Sequence, residues 1–317
     1  MKKHLLPEKG LFYKANMHVH TTLSDGPMTP EETKRVYAEA GYSIIAYTDH
    51  NLICPHNDLS DAHFLAINSI EIDASETLFK EWTLNRVYHF NLFSKDPNRT
   101  KPFLYDREYS VDWANKMIAR ANSEGFLVCY NHPVWSKQNY EDYSGLKGLW
   151  GVENYNTGCV LVGDTDTMQP IDDLLRKGEK VFPVATDDTH VMADLFGGWI
   201  MVKAENLQYD TVMNALERGD FYASTGPQIH DLSIEDGILH IVCSPAAAIN
   251  LSSERIFGRR TVAKSGEDLT EATFDLNGYI NASQKEPLRY LPYIRISVTD
   301  AHGNTANTRP YTLEELI

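Results

Sequence analysis

The chain has 317 residues, of which 42% are hydrophobic, so it can bury a large core as one big domain, or a big one with a smaller companion, without disulfide staples. Twenty-nine Lys and Arg against 44 Asp and Glu leave a formal charge of −15, which repels polyanions and argues against extended nucleic-acid binding. Four scattered cysteines (Cys54, Cys129, Cys159, Cys243) without a pairing motif fit a reducing compartment, and no apolar run has signal-peptide or transmembrane length, which predicts a cytoplasmic protein with no membrane partner.

From Ala15 to about Phe221, short apolar runs alternate with helical stretches. The predicted strands are residues 15–20, 43–47, 66–72, 86–93, 126–130, 149–155 and 181–185. Near-continuous hydrophobic strands alternating with helices predict a parallel sheet buried on both faces. In "TPEETKRVYAEAG", Thr29 is the expected N-cap, Pro30 opens the helix, Glu32 closes a capping box and Gly41 ends it. "VDWANKMIARANSEG" and "MQPIDDLLRKG" also stop at a glycine (Gly125, Gly178), and "YDTVMNALERGD" reads as the last helix of the set. After "FYASTGP" the pattern changes to short alternating runs ("IHDLSI", "ILHIVC", "YIRISVTD"), with Asp236-Gly237 placed as a hairpin turn. These predict a small antiparallel β domain, dividing the chain near Gly226 into residues 1–226 and 227–317.

In a parallel α/β barrel, chemistry is carried by residues at the C-terminal ends of the strands. The first predicted strand ends in His18 and His20, with Asp25 in its loop. The second runs into Asp49 and His50, and the third ends in Glu71. The fourth carries His89, the fifth is followed by His132, and the seventh by Asp188 and His190. Singly, each has a bland reading: a hydrogen-bonded histidine, a helix-capping Asp49 or Asp188, a Glu71 paired with arginine. As a set they do not, because six of the twelve histidines and three carboxylates fall at one end of successive strands. Mixed imidazole and carboxylate ligands suit Zn²⁺, Mn²⁺ or Fe²⁺, and so many ligands exceed what one ion holds, so two or three divalent metal ions are expected.

"HVHTTLSDG", "TDHN", "SIEI", the histidine of "YHFNLF", "NHP" and "TDDTH" resemble, in order, the motifs of the polymerase-and-histidinol-phosphatase (PHP) superfamily of metal-dependent phosphoesterases. The likeness runs from about Asn16 to Pro227. It implies an α/β fold, a distorted (β/α)7 TIM-like barrel, followed here by a C-terminal β extension whose likeness rests on "STGP" and "YIRISVTDAHGNTAN". It further implies that His18, His20, Glu71 and Asp188 hold one metal, that Glu71 bridges to a second completed by His89 and His132, and that Asp25, His50 and His190 hold a third. Asp188 is preferred to Asp187 because the family pattern is Asp-x-His. Asp49 is left as a residue that supports the ligands by hydrogen bonding or acts in catalysis.

The activity so implied is hydrolysis of a phosphomonoester or phosphodiester of a small metabolite, nucleotide or short oligonucleotide by a hydroxide formed near neutral pH in a di- or trinuclear centre. Glu71 would be central to catalysis, and Asp25 or His190 would position or protonate the leaving group. Arg86 and Lys137 are the candidates for gripping phosphate, with solvated surface charge as the alternative. "ENYN" (153–156), at the end of the sixth predicted strand, could contact substrate but, matching no ligand motif, is kept as loop structure. The C-terminal piece shapes the cleft, builds a homo-oligomer contact or caps the barrel. Two other functions stay open: an amidohydrolase-like hydrolase of amides or lactones, against which His89 stands where a bridging lysine is common, and a catalytically silent metal- or ligand-binding module, against which the full ligand set stands.

Overall fold

The computed structural model describes residues 2–285 and 291–317. All seven predicted strands form: β1 (Leu11–Val19), β2 (Ile44–Tyr47), β3 (Leu65–Ser75), β4 (Val87–Ser94), β5 (Phe126–Tyr130), β6 (Gly151–Asn156) and β7 (Phe182–Thr186). Between them lie α1 (Pro30–Glu39), α2 (Val111–Ser123) and α3 (Gln169–Arg176), with α4 (Tyr209–Arg218) after β7. Thr29 caps α1 through the expected reciprocal box with Glu32. Gly41, Gly125 and Gly178 turn with φ of 82°, 83° and 93°, the left-handed geometry that ends each helix.

The sheet is mixed rather than wholly parallel. β1–β2–β3 and β5–β6–β7 pair in parallel, but β4 runs antiparallel to both β3 and β5. The reason is the connection. Residues 76–86 contain a three-residue turn (Trp82–Leu84) and no crossover helix, so the chain comes back along the sheet instead of returning to its start. A further strand, β8 (Trp199–Ala204), lies antiparallel on the outer edge of β1 and was missed although "WIMVKA" alternates in burial. The ladders therefore follow an open path. β1 and β7 approach each other at their ends, where a single bridge links Val19 to Thr189 and the Asp188 amide donates to the His18 carbonyl at 2.9 Å.

Beyond α4 the strands are antiparallel, as expected. β9 (Phe221–Ser224) pairs with β8, and β10 (Ile229–Glu235) turns into β11 (Ile238–Ala246) through Asp236 and Gly237, both with positive φ. After β12 (Ala248–Ser253), β13 (Gly258–Val262) and β14 (Leu269–Asp275) come β15 (Tyr293–Thr299) and β16 (Thr305–Thr308). The order β13–β12–β15–β16–β9–β8 carries the large sheet straight across Gly226, while Lys3–His4, β10, β11 and β14 form a separate four-stranded sheet. Ile229, Leu232, Leu239, Ile241, Ile249 and Ile296, all fully buried, fill the space between the two. No helix among the described residues is long and apolar enough to cross a membrane.

Candidate metal centre

Because side chains alternate along a strand, His18 and His20 emerge from the end of β1 on one face, and both are buried. Their Nε2 atoms lie 3.1 Å apart. Glu71, on β3, reaches the same point: its Oε1 is 3.4 Å from His18 Nε2 and its Oε2 is 3.3 Å from His20 Nε2. Asp188 closes the other side, with Oδ1 3.1 Å and 3.2 Å from the same two nitrogens. His89 Nδ1 is 3.0 Å from Glu71 Oε1, and His132 Nε2 lies 3.6 Å from both Glu71 and Asp188. Nearer the mouth, Asp25 Oδ2 is 3.6 Å from the Nε2 atoms of both His50 and His190. The structure thus gathers all nine expected ligands at one place.

The reversal of β4 changes how His89 gets there. It sits third from the N-terminal end of its strand, and only because that strand runs backwards does this end face the cluster. His132 and Asp188 have φ of 25° and 55°, so two ligands occupy backbone regions that non-glycine residues seldom adopt. Gly26 lets the loop carrying Asp25 fold back: a Cβ there would lie 2.1 Å from the His20 carbonyl oxygen. Asp49 fixes that loop by accepting from the Thr21 amide (2.8 Å), the Thr21 hydroxyl and Ser24 Oγ (2.8 Å).

Residues behind the ligands aim them. His18 Nδ1 bonds Glu153 Oε1 at 2.8 Å, which turns Nε2 inward. Glu153 also accepts from the His132 amide and from Thr186 and Asn156. "ENYN" is therefore not loop but the body of β6; a carboxylate inside a buried strand was the signal available in the sequence. Asn131 donates to Glu71 at 2.8 Å and Asn156 to Asp188 at 3.0 Å. Asp187 faces away and accepts from Tyr37, Thr157 and the amides of Phe196, Gly197 and Gly198. Neither expected phosphate-gripping cation faces the cluster: Arg86 is held by Glu76 and Asp142, and Lys137 by Asp164. The reason is local, since each has a carboxylate partner within 2.8 Å.

The fit to metal is visible in what the cluster leaves unsatisfied. Glu71 Oε2, His89 Nδ1 and Asp188 Oδ1 are buried yet have no hydrogen-bond partner. Their neighbours lie 3.0–3.3 Å away without forming a hydrogen bond to them, which is how a buried polar group behaves when its missing partner is an ion. Ligand atoms fall within 4.8 Å of each other in three groups: His18, His20 and Asp188; His18, Glu71 and His132; and His20, Asp25, His50 and His190. Electrostatics follow the crowding. Burial alone would raise Glu71 and Asp188, but the facing imidazoles hold both carboxyls well below the usual range. Burial alone would lower His20, but the carboxylates of Asp188 and Glu71 beside it push it up to about 9, and His18 is likewise raised against burial by Asp188, Glu71 and Glu153.

No protein-family model matches this sequence, and no curated protein is recognisably similar to it. Among solved structures, a two-domain protein from Bacteroides vulgatus containing a predicted PHP-like metal-dependent phosphoesterase superposes with a TM-score of 0.50 at 16% identity, over 98% of this chain and 97% of that one. A candidate metal-dependent phosphoesterase from Bifidobacterium adolescentis matches at 16% identity with a TM-score of 0.41, covering 68% of this chain and 98% of its own. An amidohydrolase from Chromobacterium violaceum, with bound sulfate and no metal, gives 12% identity and 0.40 over 65% of this chain and 96% of that one. At these identities the likeness speaks to fold: this chain has a mixed α/β fold, shared along nearly its whole length with the PHP-like protein from Bacteroides vulgatus.

Proposed function

We propose that the chain is a metal-dependent phosphoesterase, a hydrolase whose site holds two or three divalent ions (zinc, manganese or iron) within a barrel-like ring of strands, with residues 227–317 as a second, β-rich domain. The observation that carries this is the buried cluster of imidazoles and carboxylates with three orphaned ligand atoms. Glu71, Asp188, His18, His20, His89 and His132 would hold the inner ions, and Asp25, His50 and His190 the outer one. When bound, such ions supply Lewis acidity toward a phosphoryl oxygen and lower the pKa of water.

The chain's own contribution is orientation. Glu153 keeps a proton on His18 Nδ1, Ser136 contacts His132 Nδ1 at 3.2 Å, and the Asp188 carbonyl contacts His190 Nδ1 at 3.0 Å, so each Nε2 is left free to face inward. Asp25 and His190, the outer and more exposed pair, would position the leaving group, and His190 would protonate it only where its Nε2 does not ligate the outer ion. Protein supplemented with Mn²⁺, Zn²⁺ or Fe²⁺ is expected to hydrolyse p-nitrophenyl phosphate or its bis ester, with turnover abolished by chelator and by Glu71→Ala; no turnover with any metal would overturn the reading.

A further inference from the structure

The cavity over the ligand cluster has a volume of about 420 Å³. Its floor is polar, but its outer wall is formed by Trp82, Trp135, Val162 and Val191, and among the described residues no lysine or arginine lines it. Trp135 packs against two of the histidines, edge-on to His132 with ring centroids 5.1 Å apart and tilted against His89 at 5.8 Å. Trp82 belongs to the short turn between β3 and β4 and is 59% exposed. Its neighbours Leu78, Phe79 and Leu84 are exposed as well, as are Leu161, Val162, Val191 and Met192 on two other segments. Apolar surface concentrated at the mouth of a charged cavity marks a place where a ligand covers it.

An indole offers a broad flat face, and its largest gain over water comes from another flat ring; an alkyl chain or a bare sugar covers less of it. The missing cations point the same way. Beyond the ions that the ligand set would hold, the described lining offers a second or third phosphate Asp194 and no arginine or lysine. We infer that the site takes phosphoesters with a single phosphoryl group whose organic part carries a flat aromatic or heteroaromatic ring, held at the mouth by the indoles of Trp82 and Trp135. This inference rests on the phosphoesterase reading and names its substrate class.

The test compares adenosine 5′-monophosphate with ribose 5-phosphate, which share the scissile bond and differ in the ring. In metal-free protein, adenosine should quench the fluorescence of the exposed tryptophan, and Trp82→Ala should remove most of that quenching. In metal-loaded protein, KM for the nucleotide should be about tenfold below that for the sugar phosphate. Trp82→Ala should erase this difference and Trp82→Phe should keep part of it, while adenosine 5′-triphosphate should bind more weakly than the monophosphate. Equal KM values for the two esters, with turnover intact and no quenching by adenosine, would overturn the substrate class and leave the phosphoesterase reading standing. Absence of turnover on both esters would overturn that reading and the inference with it.

Discussion

Two buried carboxylates show how differently one chain can use the same group. Asp172, on α3, receives Arg295 of β15 at 3.0 Å and 2.7 Å and the Tyr293 hydroxyl at 2.8 Å, so its charge is matched and its oxygens are occupied. It joins the helix after β6 to the C-terminal strands. Glu71 is buried more deeply, yet its side chain faces only imidazoles and Asn131, and one of its oxygens has no hydrogen-bond partner. A satisfied buried charge is structure; an unsatisfied one surrounded by ligand atoms is a place for an ion.

That contrast can be broken from either side. At Glu71 the effect should be catalytic: Glu71→Ala is expected to cut metal-dependent turnover by about 10³-fold or more in a steady-state assay. At Asp172 it should be mechanical. Arg295→Met leaves a buried carboxylate unpaired and is expected to lower stability by about 3–5 kcal/mol in urea unfolding, while the rate per folded, metal-loaded molecule stays that of the parent. An equal loss of turnover in both variants would erase the distinction. A smaller effect is expected at Glu153, which holds His18 without reaching the ligands' centre: Glu153→Gln should weaken metal binding by about 10–100-fold in a competition titration against a chelating dye.

The mildest test is pH. In metal-free protein the folded-state pKa of His20 is raised to about 9, above the ordinary value of 6.5. Its stabilising contribution is therefore complete below about pH 6.5 and is lost as pH rises toward about 9. Metal binding works in the opposite direction, because a bound imidazole must give up its proton. The melting temperature in chelator should fall across this window, and apparent metal affinity should climb by up to about tenfold per pH unit for each proton displaced. Melting curves and dye competition from pH 6 to 9 check both. A metal affinity flat in pH would mean that His20 is not protonated in the free site.

Much of the site was legible because the residues that form it follow a local rule. Strand, polar end, helix is a pattern of side-chain period and capping, and it exposed His18, His20, His50, Glu71, His132, Asp188 and His190 in turn. Glu153 escaped because "ENYN" matches no ligand motif, and its hold on two ligands shows only once β6 is placed between them. Arg86 and Lys137 were read from their place beside strand ends. Their partners Glu76, Asp142 and Asp164 come from elsewhere in the fold, and no local pattern announces such a pairing.

The sequence by itself determined the seven strands, the capped helices between them, the antiparallel texture after Gly226 and the set of ligand-type residues, since all of these follow from periodicities and backbone preferences a few residues long. Only the tertiary structure decided that β4 runs backwards and brings the start rather than the end of its strand to the cluster, that β8 occupies the edge of β1, and that the turn at Asp188 sends Asp187 outward to structural hydrogen bonds. Strand direction and the aim of a side chain depend on which distant segments compete for the same edge and the same space, and that competition is settled by packing across the whole chain.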